Sequence, residues 1–243
     1  MIFTVLNQKG GVGKTTTAAA IAQAAAYTGK RVLAVDMDAQ ANLTYCLAAD
    51  ARRPGAYELL NGAPAAEVIQ RSRQGIDVIS ASLDLQTEQT RAGSALRLEQ
   101  ALAPIKKKYS VIVIDTPPSP GELQYNSLMA TDRLVIPLEA DAYNVQSLYQ
   151  IAATVDHIKR TNVMLQIAGV LLTKYDGRST LSKTLCARLE ETAAALGIPF
   201  LGTVRKAIAV SEAAAFQESL FEYAPKSKPA ADYMRIYETI TRQ

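Results

Sequence analysis

The chain has 243 residues, of which 49% are hydrophobic and 20% charged, and a net charge of +3. That length fits one large α/β domain with a sizeable core, and no apolar run reaches the roughly eighteen residues of a membrane span. The mild positive charge permits contact with nucleic acid without demanding it, because binding depends on where the cations cluster.

The N-terminus, "MIFTVLNQKGG", has neither a basic leader nor a long apolar core, so no secretory signal is expected. Short β-branched runs then alternate with longer helical patterns. Residues 2–7 predict a strand, and the alanine-rich stretch 15–29 a helix closed by Gly29. Further strands are predicted at 31–36, 76–82, 110–115, 133–138, 167–173 and 199–204, with helices at 94–108, 122–130, 143–161, 179–196, 207–217 and 227–241. Residues 48–75, with Pro54, Gly55, Gly62 and Pro64, read as short helices and loops inserted at a sheet edge. Continuous apolar strands separated by helices predict an α/β fold: a three-layer, mostly parallel twisted sheet with helices on both faces. No linker divides the chain, so residues 1–243 are expected to form a single domain.

Cys46 and Cys186 are isolated, which suits packing residues in a reducing compartment better than a metal or redox pair. His157 is the lone histidine, so chemistry with a histidine base is not expected. Lys106, Lys107 and Lys108 end a helical pattern, where cations complement the dipole.

The chemistry is concentrated in three stretches. The first is "LNQKGGVGKTTT", residues 6–17, between a strand and a helix. Gly10, Gly11, Val12 and Gly13 form a loop whose glycines let backbone N–H groups turn inward around phosphate oxygens, backed by the helix dipole. Lys14 is expected along the β- and γ-phosphates, the Thr15 hydroxyl on Mg²⁺, and Thr16 near the α-phosphate. A standard loop would have glycine at position 8; here Gln8 is followed by a second lysine, Lys9. The second stretch, "VIVID" at 111–115, is an apolar strand ending in Asp115, a carboxylate for Mg²⁺, before the stiff turn Thr116-Pro117-Pro118. The third, "AVDMDAQANLT" at 34–44, sends Asp36 and Asp38 from the end of the second strand. Ligands bind at the carboxyl ends of parallel strands, so Asp38 is the candidate to orient or deprotonate the attacking water and Asp36 lies nearer the metal. Either could instead cap a helix.

Together "KGGVGKTT", "VDMDAQANLT" and "VIVIDTPPSPG" resemble the ParA/MinD class of deviant Walker P-loop ATPases, and most of all the ParA/Soj partition ATPases. The similarity extends through 126–148, through "GVLLTKYDGRSTLS" at 169–182 and through the block 211–240. The resemblance implies ATP and Mg²⁺ as cofactors and Thr173 as a further nucleotide-binding residue. It implies that Lys9 acts across an ATP-dependent homodimer on phosphates held by the other subunit. It also implies a ParB-like or other adaptor partner, non-specific DNA, and a cytoplasmic, nucleoid-associated location. The loop begins within ten residues of the start, so no N-terminal DNA-reading domain is expected. The last helix, with two basic residues and no Phe, Trp or Leu wedge, suits core packing better than the membrane anchor of the MinD branch.

The chain departs from the Soj pattern before "SEA". A proline expected near the adenine is Arg205, and an arginine usually linked to DNA is Ala209. Arg178, Lys183, Arg205 and Lys206 remain as candidate DNA contacts. The alternative is a MinD-like positioning or regulatory ATPase that acts on a protein complex. A metabolic P-loop ligase is a third possibility, against which Lys9 argues.

Overall fold

A computed structural model describes residues 1–88, 95–141 and 144–242, with the side chains of 144 and 145 excepted. The strands are β1 (Ile2–Val5), β2 (Val32–Asp36), β3 (Ile69–Arg71), β4 (Asp77–Ile79), β5 (Val111–Asp115), β6 (Arg133–Glu139), β7 (Gln166–Tyr175) and β8 (Phe200–Arg205). They form one sheet in the order β3-β4-β2-β5-β1-β6-β7-β8. All pairs are parallel except β3 with β4. The expected three-layer, mostly parallel architecture is therefore present.

The central strands β1, β2 and β5 are buried along their whole length. Helices cover both faces, which is why these strands are apolar throughout rather than alternating. On one face the helix Lys14–Tyr27 lies almost entirely inside. Its Ala18, Ala20, Ala22, Ala24 and Ala25 are small enough to let it sit close to the sheet while the helix Lys228–Arg242 packs over it. Tyr233, Ile236, Tyr237 and Ile240 of that last helix are all core residues, so its apolar stripe is used within the fold. Among the described residues no helix is long and apolar enough to cross a membrane.

Three predicted elements differ. The strand expected at 76–82 is only Asp77–Ile79. The helix expected at 94–108 is a shorter helix, Arg97–Leu102, and a 3₁₀ turn, Lys106–Lys108. Pro104 lies between them, where it cannot donate to a continuing helix, and residue 94 lies outside the described residues. The helix expected from 143 is described from Asn144 to Ile158; residues 142 and 143 lie outside the described residues.

The 48–75 insertion contains the expected short helices, and also the unexpected antiparallel strand β3. Three residues carry too little alternation to be read as a strand. Its buried Gln70 makes two side-chain bonds to the Asp50 backbone, at 2.9 Å each, in place of a further strand.

Candidate active site

Residues 8–13 lead from β1 into the helix Lys14–Tyr27. Gly11 (φ +79°) and Gly13 (φ +84°) are left-handed, a conformation that costs a residue with a side chain about 1–2 kcal/mol. The helix has no side-chain N-cap and no acid in its first turn. Its first N–H groups and positive dipole end are therefore left for an anionic ligand.

The loop is fastened from behind. Fully buried Asn7 donates to Pro137 O at 2.8 Å and accepts from Lys9 N at 2.9 Å. Thr173 Oγ1 lies 2.9 Å from Val12 O and 3.0 Å from Leu138 O. Lys14 Nζ donates to Lys9 O at 3.1 Å, and Lys174 Nζ to Gly11 O at 2.8 Å. Thr173, expected as a nucleotide contact, stands under the loop with its hydroxyl engaged by these carbonyls. It also lines the cavity that opens beside Gly13 and Thr16.

Parallel register sets Asp36 beside Asp115 at the carboxyl ends of β2 and β5. The two carboxylates have different surroundings. Asp36 Oδ2 accepts from Thr44 N at 2.8 Å and Thr44 Oγ1 at 2.7 Å, and its Oδ1 accepts from Asp38 N at 3.1 Å. Asp36 thus anchors the turn that carries Asp38, a turn in which Ala41 is left-handed at φ +53°. Burial lifts its pKa to about 6, against the pull of the Thr44 and Asp38 hydrogen bonds. Asp115 is fully buried and neither of its oxygens has a hydrogen-bond partner. Burial first, then the charge of Asp36, raises its pKa well above the usual carboxylate range, with Thr15 and Lys14 opposing. Lys14 is itself lowered by burial, which Asp115 and Asp38 partly offset.

A buried carboxylate with two unpartnered oxygens beside a threonine hydroxyl fits a hard, oxygen-seeking divalent cation. Thr15 and Asp115 are the residues that would hold Mg²⁺, with Asp36 behind them. Asp38 is nearly buried; its Oδ1 accepts from Gln40 N at 3.0 Å.

Lys9 Nζ is ion-paired with Asp141, just beyond β6. At 37% and 31% side-chain exposure the pair is screened by solvent, so releasing it costs below about 1 kcal/mol. Beside Gly13 and Thr16 opens a cavity of about 430 Å³, bounded by Val204, Ala207, Val210 and Tyr233, within the range for a small ligand. A larger cavity, about 560 Å³, lies at the opposite edge among Leu60, Pro64, Ala101 and Ile105 and contains none of the motif residues.

Of the four candidate DNA contacts, three are exposed. Arg178 and Lys206 follow the ends of β7 and β8, and Lys183 lies in the first turn of the helix Thr180–Ala195. Asp176 links two of them: hydrogen bonds from Arg178 and the nearby charge of Lys206 hold its pKa down. Arg205 differs. Its guanidinium grips the buried Asp232 with both arms, at 2.8 and 2.7 Å.

Asn7, Thr44, Asp141 and Lys174 are site residues that sequence reasoning did not single out. Thr44 sat inside a quoted motif, eight residues after Asp36, and its hydroxyl was a usable cue. The other three act through folded proximity and carried none.

Comparison with known proteins agrees with this geometry. A family model described as an AAA domain matches residues 1–167. The chromosome-partitioning ATPase Soj of Thermus thermophilus is 36% identical over 237 residues, covering 96% of this chain and 92% of the relative. The chromosome partitioning protein ParA of Caulobacter vibrioides is 32% identical over 255 residues, covering 100% and 94%. A solved structure of cobyrinic acid a,c-diamide synthase from Mycobacterium smegmatis, with bound ADP and magnesium, superposes with a TM-score of 0.84 at 30% identity, over 99% of this chain and 94% of that one. With the phosphate loop, the paired strand-end carboxylates and this similarity along nearly its whole length, the chain belongs to the Soj/ParA family and is an ATPase that uses ATP and Mg²⁺.

Proposed function

We propose that this chain is a DNA-partition ATPase. Two copies enclose ATP, the dimer holds duplex DNA without sequence preference, and hydrolysis stimulated by a ParB-like partner releases it. The observation that carries this reading is Lys9. It stands at the mouth of the loop on a pair that solvent already weakens, so a phosphate on a facing copy can draw it away from Asp141. A cation supplied in trans offsets the charge that phosphoryl transfer develops, as an arginine finger does.

In the proposed reaction Asp38 takes a proton from water as the water oxygen bonds to the γ-phosphorus and the bond to the β–γ bridging oxygen breaks. Lys14 holds the leaving phosphates, and the loop N–H groups keep them in line. Mg²⁺ supplies neutralisation of the β- and γ-oxygens when bound. Asp36 keeps the Asp38 turn in place through Thr44.

The DNA surface is proposed to be Arg178, Lys183 and Lys206 from each copy, six cations in the dimer. Six phosphate contacts imply a salt slope near −5 and a loss of about 10³-fold in affinity between roughly 50 and 200 mM salt. The test is fluorescence anisotropy of random duplex with the Asp38→Ala protein, with and without ATP. Binding is expected to require ATP, and adding Arg178→Ala with Lys206→Ala should flatten the slope by about 4, since four contacts are removed. Arg205→Ala is expected to change the slope little, because that side chain is occupied by Asp232.

The engagement of Arg205 and the presence of Ala209 favour a second reading, a positioning or regulatory ATPase whose cargo is a protein complex. No ATP-dependent DNA binding at low salt would select it. The single-domain reading of residues 1–243 is proposed on the same basis, one continuous sheet serving one site.

A further inference from the structure

Lys174 lies near the end of β7 in a left-handed conformation, φ +53°. For a lysine that backbone costs about 1–2 kcal/mol, and such strain persists where surrounding contacts over-determine it. Two contacts do so here. Lys174 Nζ donates to Gly11 O at 2.8 Å and pairs with Glu139 Oε2 at 3.2 Å. Glu139 is held opposite Thr173 by the β6–β7 register, so the ammonium is steered to the loop from its own sheet.

The consequence follows from peptide geometry. A trans peptide points its C=O and its N–H in opposite directions. Holding Gly11 C=O outward on Lys174 therefore turns the Val12 N–H toward the inside of the loop. Gly11 and Gly13 leave the peptides between them free to flip, and the next peptide is secured the same way, Val12 C=O on Thr173 and Gly13 N–H inward.

We propose that Lys174 is a positioning residue for phosphate binding, acting through the Gly11 carbonyl to aim the Val12 N–H at the nucleotide's phosphates. Lys174 also lines the cavity beside Gly13 and Thr16, so the test separates this positioning role from a direct contact with the nucleotide.

The test compares wild type, Lys174→Met and Lys174→Arg, measuring Mg-ADP affinity by calorimetry and Val12 amide exchange by NMR. Methionine keeps most of the stem and loses the donor; arginine keeps a donor. Lys174→Met is expected to weaken ADP about tenfold and to lose the protection of the Val12 amide that ADP brings to wild type. Lys174→Arg is expected to stay within about twofold and keep that protection. ADP affinity unchanged in Lys174→Met would overturn the proposal. So would lost affinity with Val12 still protected, which marks a direct phosphate ligand, and so would an arginine variant that behaves like methionine.

Discussion

Lys14→Ala is expected to weaken Mg-ATP binding by about 10²–10³-fold and to end hydrolysis, whereas Lys9→Ala is expected to leave binding within about threefold and lower hydrolysis by at least 10²-fold. The contrast rests on where the two ammonium groups lie. Lys14 is 7% exposed, donates across the loop to Lys9 O, and sits close enough to Asp115 and Asp38 for their charges to matter. Its removal takes away the main cation of the cradle and leaves buried carboxylates uncompensated, so repulsion of the triphosphate grows as attraction is lost. Lys9 is exposed enough to be screened, and its partner in the free chain is Asp141 rather than the loop interior. Its removal therefore costs the free protein little and the proposed dimer its trans cation. Calorimetry gives the binding arm and phosphate release the hydrolysis arm. Equal loss of ATP affinity in both variants would show that Lys9 acts in cis.

The second large effect concerns Asp115. Asp115→Asn is expected to abolish Mg²⁺-dependent hydrolysis while raising the melting temperature of the nucleotide-free protein at pH 8. The wild-type carboxylate is fully buried with two unpartnered oxygens, a situation that costs on the order of 1–3 kcal/mol; at about 2–4 °C per kcal/mol for a chain of this length the gain is several degrees. Its sign with pH is fixed by the direction of the shift. Asp115 has a folded pKa raised above the unfolded value of about 4. Its contribution is fully present below pH 4 and is lost as pH rises through the folded pKa. The gap between wild type and Asp115→Asn should therefore widen from pH 5 to pH 8. Differential scanning fluorimetry without nucleotide, across that range, measures it. A lower melting temperature for Asp115→Asn at pH 8 would mean that the charge is satisfied in some other way. A residue that destabilises the empty protein yet serves the loaded one is the usual trade at a functional site.

The motifs on local structure were legible in the sequence. "KGGVGKTT" between a strand and a helix, "VIVID" ending in Asp115, and Asp36 with Asp38 after β2 all occupy strand ends at the middle of the sheet, as parallel topology requires. What differed was set by tertiary proximity. Asp36 and Asp115 look alike on paper, yet Thr44 and the Asp38 backbone claim one and leave the other unpartnered. Arg205 read as a surface cation, because nothing local announces that Asp232, twenty-seven residues on, lies buried beneath it. Lys174 was one letter in "TKYD" until the fold brought Gly11 to it. The same reason hid β3, whose pairing partner rather than its own three residues makes it a strand.

Lys9 is proposed to act between two copies, and the direct measurement of that is mass. Multi-angle light scattering of Asp38→Ala with saturating Mg-ATP is expected to give twice the 26.2 kDa of the single chain. Adding Lys9→Ala should return it to 26.2 kDa. A single-chain mass for Asp38→Ala at saturating Mg-ATP, with nucleotide bound, would contradict the account.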